Sequence, residues 1–334
     1  MSLNNKIVLV TGGTGSFGKF IVRRLLDSNV REVRVFSRDE KKQYDMRLHY
    51  AGEKRIRFIT GDVRDLNRVR EAMHNCALVF QAAALKHVFA CELQPFEAVK
   101  TNVAGAENVI SAAMDARVAR VVTVSTDKAV KPVNVMGMTK ALQERLTLSA
   151  NNSPANQGTK LSVVRYGNVM NSRGSAVPFF RDLVAAGKPI TITHPAMTRF
   201  LLTLNDAVDL VLFAAKHMKG GETFVKKAPT VRILDLAAAI AEEGGRKFDH
   251  KVIGVLPGEK FHEVLISEEE LQRTRDLGDY YVVAPWWEKK FTTKLQAEYS
   301  SEHNIVSDLS AIRTLLAKSD AEFRALGFKG VTVD

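Results

Sequence analysis

The chain has 334 residues, 46% apolar and 25% charged, enough for a buried core and for two lobes of a globular protein. Cys76 and Cys91 are its only cysteines, which excludes a disulfide scaffold or a thiolate metal cluster and fits a reducing compartment. The net charge of +11 is spread along the chain and mixed with acids, as in Arg38-Asp39-Glu40-Lys41-Lys42. That is not the basic stripe of a nucleic-acid binder; it leaves a small anion in a positive cleft, or no specific meaning. No basic leader and no apolar run of roughly 18 residues occurs, so a cytoplasmic protein without membrane insertion is expected.

Positions 6–10, KIVLV, read as a short buried strand running into TGGTGSFG and a helical pattern that reaches Leu26. Gly12, Gly15 and Gly18 are spaced G-x-x-G-x-x-G, with Thr14, Ser16 and Phe17 between them. A pyrophosphate over a helix N-terminus needs this: a tight turn, close backbone approach and close helix–strand packing. A second strand at 32–36 ends in Ser37-Arg38-Asp39. The Ser37-Arg38 pair suits a 2′-phosphate and directs the cofactor toward NADP, whereas Asp39 keeps NAD open and Arg38 reads equally as a plain surface residue. The third strand ends at Asp62-Val63, where Asp62 either accepts from an adenine amino group or caps the helix beginning near Leu66. The fourth, from Leu78, closes on Ala82-Ala83-Ala84, small enough for backbone to approach a cofactor, and delivers Lys86 and His87. A 3.6-residue period then covers 102–114, with Asn102 at its head.

The stretch 121–140, VVTVSTDKAVKPVNVMGMTK, opens as a central parallel strand and places Ser125, Thr126, Asp127 and Lys128 where that strand ends. In an open α/β sheet, chemistry sits at that edge. After Pro132 a helix begins near Met136 and carries Lys140 back toward the same place. Beyond the polar segment 151–158, a strand at 160–165 leads into Tyr166-Gly167-Asn168-Val169, a polar loop at 171–175 and a helix near Val177. Further strands are expected at 189–193 and 251–256, and an extended run at 201–203 precedes a helix from Asp206. Segment 276–304 has no clear period, yet it holds Trp286, Trp287, Tyr280, Tyr281 and Tyr299, which suits a lid over a ligand or a grip on a neighbouring subunit. No His, Cys or Asp spacing makes a metal site. Strand–helix alternation without repeats means an α/β, doubly wound parallel sheet.

The motifs TGGTGSFG, FSRDE, GDVRD, AAALKH, KTNVAGAENV, STDKAVKP, RYGNVMNSRGS, MTRF and PGEKFHE span nearly the whole chain. Together they resemble the extended short-chain dehydrogenase/reductases, and more narrowly the C5-inverting UDP-N-acetylglucosamine 4,6-dehydratases. The resemblance implies a Rossmann-type NADP-binding domain over 1–165, with later segments returning to it. A smaller C-terminal α/β substrate lobe would cover 166–334. It implies hydride removal from C4, elimination across C5 and C6, hydride return to C6 and reprotonation of C5 from the opposite face, with Asp127 as acid and Lys128 as base. Cofactor contacts would come from the glycine loop, Ser37, Arg38, Asp62, Val63, Ala82 to Ala84, Lys86, Asn102, Lys140, Tyr166 and Asn168. Lys86, His87, Asn168, Arg173, Ser175, Arg199 and Glu259 would meet the UDP-sugar, and related enzymes form homo-oligomers, dimers or hexamers.

One position departs from the pattern. Met136 stands where the family's Tyr-x-x-x-Lys would place a tyrosine one turn before Lys140. A thioether cannot exchange the C4 hydroxyl proton. The chain is then a non-catalytic homologue, a nucleotide-sugar-binding regulator, or an enzyme in which another group takes that proton. The resemblance to a capsule-type branch with methionine here favours the last, with Lys128, relayed by Thr126, serving C4 as well as C5. Desolvation or neighbouring cations would have to lower the Lys128 pKa for this, and the adjacent Asp127 opposes that.

Overall fold

The computed structural model describes residues 3–172, 174–288 and 295–328. Its β-branched runs lack polar alternation because they are covered on both faces, the condition of a parallel sheet between two helical layers. The strands are Ile7–Thr11 (β1), Glu32–Ser37 (β2), Ile56–Thr60 (β3), Leu78–Gln81 (β4), Arg120–Val124 (β5) and Lys160–Arg165 (β6). The helices between them are Ser16–Leu26 (α1), Glu40–His49 (α2), Leu66–Met73 (α3), Val88–Leu93 (α4), Pro95–Ala98 (α5), Gly105–Asp115 (α6) and Val135–Ser149 (α7). The C-terminal half adds strands Asn168–Val169 (β7), Ile190–Ile192 (β8), Thr198–Leu202 (β9), Thr223–Lys226 (β10), Thr230–Arg232 (β11), His250–Val252 (β12), Val264–Ile266 (β13), Thr274–Asp276 (β14), Tyr280–Val283 (β15) and Tyr299–Ser300 (β16). Its helices are Ala176–Ala185 (α8), Leu204–His217 (α9), Ile233–Glu243 (α10), Glu268–Leu271 (α11) and Leu309–Leu326 (α12).

The main sheet runs β14-β15-β10-β6-β5-β4-β1-β2-β3. It is parallel from β3 to β10, while β14 and β15 close it antiparallel. The strand order reverses between β1 and β4, which opens a crevice at their carboxyl ends. Core residues of α1 and α9, including Phe20, Ile21, Val208 and Val211, pack under one face. Val69, Met73, Val109 and Ile110 of α3 and α6 cover the other. A separate core gathers Phe180, Ile190, Leu201, Leu236, Ile240, Ile312 and Leu316 beneath the small sheet β11-β9-β7.

Several local expectations are corrected. The α-helical period expected from Asn102 begins at Gly105; Val99–Ala104 is a π-helical stretch that turns the buried Asn102 inward instead of leaving it at a helix head. Asp65 caps α3, not Asp62. The strand expected over 251–256 reaches only Val252, and Val252, Ile253, Val255 and Leu256 are exposed. Helix α9 starts at Leu204, behind a capping box of Thr203 and Asp206. Part of the aperiodic segment 276–304 is sheet: β15 extends β10, and β16 pairs with β13. Its strands are two to four residues long, too short to show a period. The remainder includes 289–294, outside the described residues.

A buried ionic network ties α7 to this framework. Arg165, at the end of β6, donates to Glu144 Oε2 of α7 at 2.6 Å and to Glu270 Oε2 of α11 at 2.7 Å, all three side chains at most 8% exposed. Removing one partner from such a cluster strands the others in low dielectric. Arg165→Met should therefore cost about 3–5 kcal/mol in urea unfolding. Arg313→Met, which breaks an exposed pair with Glu242, should cost about 1 kcal/mol or less.

Candidate active site

The glycine loop leaves β1 and enters α1 across the crevice. Gly12 has φ +67°, and a Cβ there would lie 2.9 Å from the Ala83 nitrogen, so the turn and the approach of the β4 tail both require glycine. Gly18 lies against the Gly13 carbonyl with no room for a Cβ. Exposed Gly15 is the N-cap of α1; it supplies no side-chain cap, and the first turn holds no acid, so the helix N-terminus is left for an anion. Thr11 Oγ1 accepts from the Ala82 and Ala83 amides, both at 3.2 Å, tying the β4 tail to β1. Thr14 Oγ1 and Ser37 Oγ are 2.8 Å apart, which joins the loop to the end of β2. Arg38 is exposed, with Nη1 3.6 Å from Asp62 Oδ2, while the Asp39 carboxylate caps α2 through the Lys42 amide at 2.9 Å. Asp62 is gripped by Arg64, whose Nη2 lies 2.8 Å away. Val63 is buried against Gly105. This cradle fits a dinucleotide.

Beside it, buried Asn102 clamps the backbone of Leu85, accepting from its amide at 2.8 Å and donating to its carbonyl at 2.9 Å, which fixes the segment that delivers Lys86 and His87. It also donates to Thr139 Oγ1 at 3.1 Å, which makes it a strut between the β4 tail and α7. Lys140 donates to the Val124 carbonyl at 2.6 Å and to Gln143 Oε1. Burial pushes its pKa down to about 8, with Glu144 opposing. Ser16, Phe17 and Ala84 line the same edge, each half-buried.

The strand β5 delivers its turn against β6: the Ser125 amide donates to the Val164 carbonyl at 2.7 Å and the Asp127 amide to the Tyr166 carbonyl at 3.2 Å. Helix α7 packs onto this turn because Gly137, whose Cβ would strike the Lys128 carbonyl, sits in its first turn behind the Asn134 cap. Thr126 Oγ1 donates to Asp127 Oδ1 at 2.8 Å, and Lys128 Nζ donates to the same oxygen at 3.0 Å. Asp127 is fully buried, and its Oδ2 has no hydrogen-bond partner among the described residues. Burial raises its pKa, Glu263 adds to this, and Lys128 opposes it. Burial works against the Lys128 ammonium, but Asp127 and Glu263 on either side outweigh it and hold its pKa above the ordinary lysine value. The lowered pKa that a resting base needs is therefore not found.

Met136 is buried in an apolar cluster with Cys91 and Ala98, flanked by Leu85 and Val88. It serves packing there.

Asn168, Ser175 and Arg199 come together around a small hollow of about 10 Å³ that Met170, Leu201 and Ile233 also line. Asn168 Oδ1 and Ser175 Oγ are buried without hydrogen-bond partners among the described residues. Gly174, at φ +71°, abuts the His87 ring, which joins this loop to the β4 tail. Tyr166 is half-buried against the main core, and burial pushes its phenol far up. Arg173 lies outside the described residues. Glu259 closes its own turn, accepting from the Leu256 amide at 3.2 Å. Two other residues of the same PGEKFHE stretch reach the Thr126-Asp127-Lys128 turn instead. Lys260 Nζ donates to the Val130 carbonyl at 2.7 Å, and Glu263 Oε1 lies 3.2 Å from Lys128 Nζ. Neither residue stands out in the sequence by more than a lysine and an acid three positions apart within the PGEKFHE motif.

Among the described residues no cluster of His, Cys, Asp and Glu could hold a metal ion, and no helix is long and apolar enough to cross a membrane.

Residues 8–285 match the polysaccharide biosynthesis protein family. An uncharacterised membrane protein of Methanocaldococcus jannaschii is 50% identical over 289 residues, 84% of this chain and 86% of that one. A UDP-glucose 4-epimerase of Rickettsia canadensis is 50% identical over 281 residues, 83% of this chain and 82% of that one. Among solved structures, Pen from Bacillus thuringiensis superposes with a TM-score of 0.91 at 38% identity, over 96% of this chain and 99% of that one. The dTDP-glucose 4,6-dehydratase DesIV of Streptomyces venezuelae shares the fold, with a TM-score of 0.70 at 20% identity over 76% of this chain and 86% of that one. The chain belongs to the polysaccharide biosynthesis protein family, within the NAD(P)-binding nucleotide-sugar epimerases and dehydratases of short-chain dehydrogenase type.

Proposed function

We propose that the chain is a UDP-N-acetylglucosamine 4,6-dehydratase that inverts C5. Its product would be UDP-2-acetamido-2,6-dideoxy-β-L-arabino-hexos-4-ulose, a precursor of capsule or O-antigen sugars. The observation that carries this reading is the Asp127–Lys128 pair: a carboxyl whose pKa is raised by burial and an amine 3.0 Å away. Elimination needs an acid at the C6 oxygen and a base at the C5 proton, both close to one carbon–carbon bond. Lys128 is held protonated in the ligand-free chain, so its turn as base begins with that proton passing to Asp127 Oδ1 at 3.0 Å. The raised Asp127 pKa narrows the energy gap for that transfer and leaves Asp127 protonated for the leaving hydroxyl. Met136 is closed off in its apolar cluster, so the C4 hydroxyl proton falls to Lys128 as well, with the Thr126 hydroxyl, which donates to the same Asp127 oxygen as Lys128, as its relay.

The residues of the cradle would hold NADP, which supplies the acceptor and later the donor of the hydride. Exposed Arg38 beside Ser37 supports the 2′-phosphate form, since the Asp39 carboxylate is already engaged at the start of α2. Asn168, Ser175 and Arg199, with Lys86 and His87 across the loop, form the proposed sugar-nucleotide wall. The exposed Phe89, Leu93 and Phe96, with Met138 and Leu142 of α7, support self-association as a dimer or hexamer.

A second reading is UDP-sugar 4-epimerisation. The names of the Rickettsia relatives support it more directly than they support dehydration. Incubation with UDP-N-acetylglucosamine in deuterated water, followed by NMR, separates the two. Dehydration with inversion gives a C6 methyl and deuterium at an inverted C5. Deuterium with unchanged C5 configuration means a retaining dehydratase, and a retained 6-hydroxyl with C4 inverted means the epimerase. No turnover at all would leave a silent nucleotide-sugar-binding protein.

Lys128→Ala should abolish even C4 oxidation, seen as loss of cofactor reduction at 340 nm on mixing with substrate; a wild-type rate of 4-keto formation would refute the dual role. Lys140→Met should lose retained cofactor on gel filtration. The same variant should be more stable than the parent without cofactor at neutral pH. The folded Lys140 pKa, about 8, lies below its unfolded value. Below pH 8 the buried ammonium thus costs roughly 3 kcal/mol, and the penalty fades as pH rises from 8 toward the unfolded pKa of about 10.4. Urea titrations at pH 7 and pH 10 should show the two proteins converging.

A further inference from the structure

Glu263 is 2% exposed, so its carboxylate is almost wholly out of water. Three cations converge on it. Lys128 Nζ lies 3.2 Å from Oε1, Lys260 Nζ 3.3 Å from Oε2, and Arg199 Nε 4.0 Å from Oε1. One close, well-bonded cation can satisfy a buried carboxylate; three placed around one carboxylate form a hub. The hub is rigid. The Glu263 amide donates to Ser301 Oγ at 2.8 Å, its carbonyl accepts from the Ser301 amide at 2.8 Å, and Ser301 Oγ also meets Thr198 Oγ1 at 2.8 Å. Asn134, the cap of α7, donates to the Gly258 carbonyl at 2.8 Å, and Lys260 reaches the Val130 carbonyl, so the whole 258–263 loop is sewn to the acid–base turn.

We propose that Glu263 is the positioning residue of the reaction: its carboxylate fixes Lys128 Nζ beside Asp127 and joins the acid–base turn to the loop lying over it. The proposal rests on the reading of Lys128 as base given above. A side chain with four flexible methylenes would otherwise leave Asp127 for solvent, since Lys128 keeps 21% of its side-chain surface exposed. Glu263 also governs when Lys128 can give up its proton. The charged groups facing the ammonium are Asp127 on its own turn, Glu263 before β13, and Arg199 from β9, with Lys260 on the far side of Glu263. His262 turns away, its Nδ1 2.8 Å from Thr198 Oγ1 and its Nε2 3.9 Å from Glu302. Two carboxylates and one guanidinium act directly on Lys128. Removing Glu263 leaves one of each, so Lys128 deprotonates at lower pH.

The test uses the full-length holoprotein, labelled with [13Cε]lysine, and the Lys128 signal assigned with Lys128→Arg. In Glu263→Gln the Lys128 titration midpoint should fall by about one pH unit or more, equivalent to at least tenfold in its acid dissociation constant. The rising limb of kcat against pH should move down with it, while Lys140 titrates as before. Glu263→Asp, which keeps the charge but draws it back from Lys128, should titrate Lys128 at a midpoint between those of the parent and Glu263→Gln. A Glu263→Gln enzyme whose kcat drops equally at every pH, with the Lys128 midpoint unmoved, would overturn the proposal and leave Glu263 a fold residue. If Glu263→Gln does not fold, the Glu263→Asp titration decides: an unmoved midpoint together with normal kcat and KM overturns it, and a midpoint displaced with the longer reach supports it. The lysine titration needs no substrate. Failure of the wild type to form a 4-keto sugar therefore rejects the dehydratase reading while the titration still decides the link between Glu263 and Lys128.

Discussion

A carboxylate moved out of water must find cations or give up its charge, and the site is organised by that demand. Asp127 and Glu263 are both buried, and Lys128 lies between them. Their outcomes differ. Asp127 has one close cation and is pushed by burial toward its neutral form, whereas burial of Glu263 is outweighed by Lys128, Arg199 and Lys260, which keep it ionised. Two carboxyl groups of similar intrinsic acidity thus acquire opposite tendencies from their surroundings, the division of labour that acid–base chemistry needs.

The remaining structure serves this arrangement. The parallel sheet aims the carboxyl ends of β1, β4 and β5 at one crevice, and the glycine loop brings a helix N-terminus to the same edge. Helix α7 is drawn onto the acid–base turn by Gly137 and anchored from behind by Glu144, Arg165 and Glu270. That anchor lies one turn beyond Lys140, so the buried ionic network and the proposed cofactor lysine share a rigid helix. Met136 has a place in this scheme as an apolar plug between α4 and α7, with Cys91 and Ala98.

Much of the fold was legible in the chain because parallel strands are written as unbroken apolar runs and their helices as 3.6-residue periods. β1, β2, β5 and β6 lie where those patterns put them, as do the glycine loop and the Thr126-Asp127-Lys128 turn. The patterns failed where the signal is short or the backbone departs from the common geometry. The π-helical turn around Asn102 keeps an apolar helical look while rotating one side chain inward, and β14 to β16 are too brief to show alternation. Asp65 took the cap expected of Asp62, since both precede the same helix.

The sequence by itself determined the class of site: a dinucleotide loop, an acid and a lysine at a strand end, and a second lysine one turn into the next helix. These are local features, set by neighbours within a few residues. Only the tertiary structure decided the charge state of that site. Glu263, Lys260 and Arg199 approach Lys128 from distant parts of the chain, and spacing along the chain does not encode which charges will meet in a low-dielectric interior. The pKa of a buried group is a property of that meeting, and so the expectation of a lowered Lys128 pKa could be corrected only there.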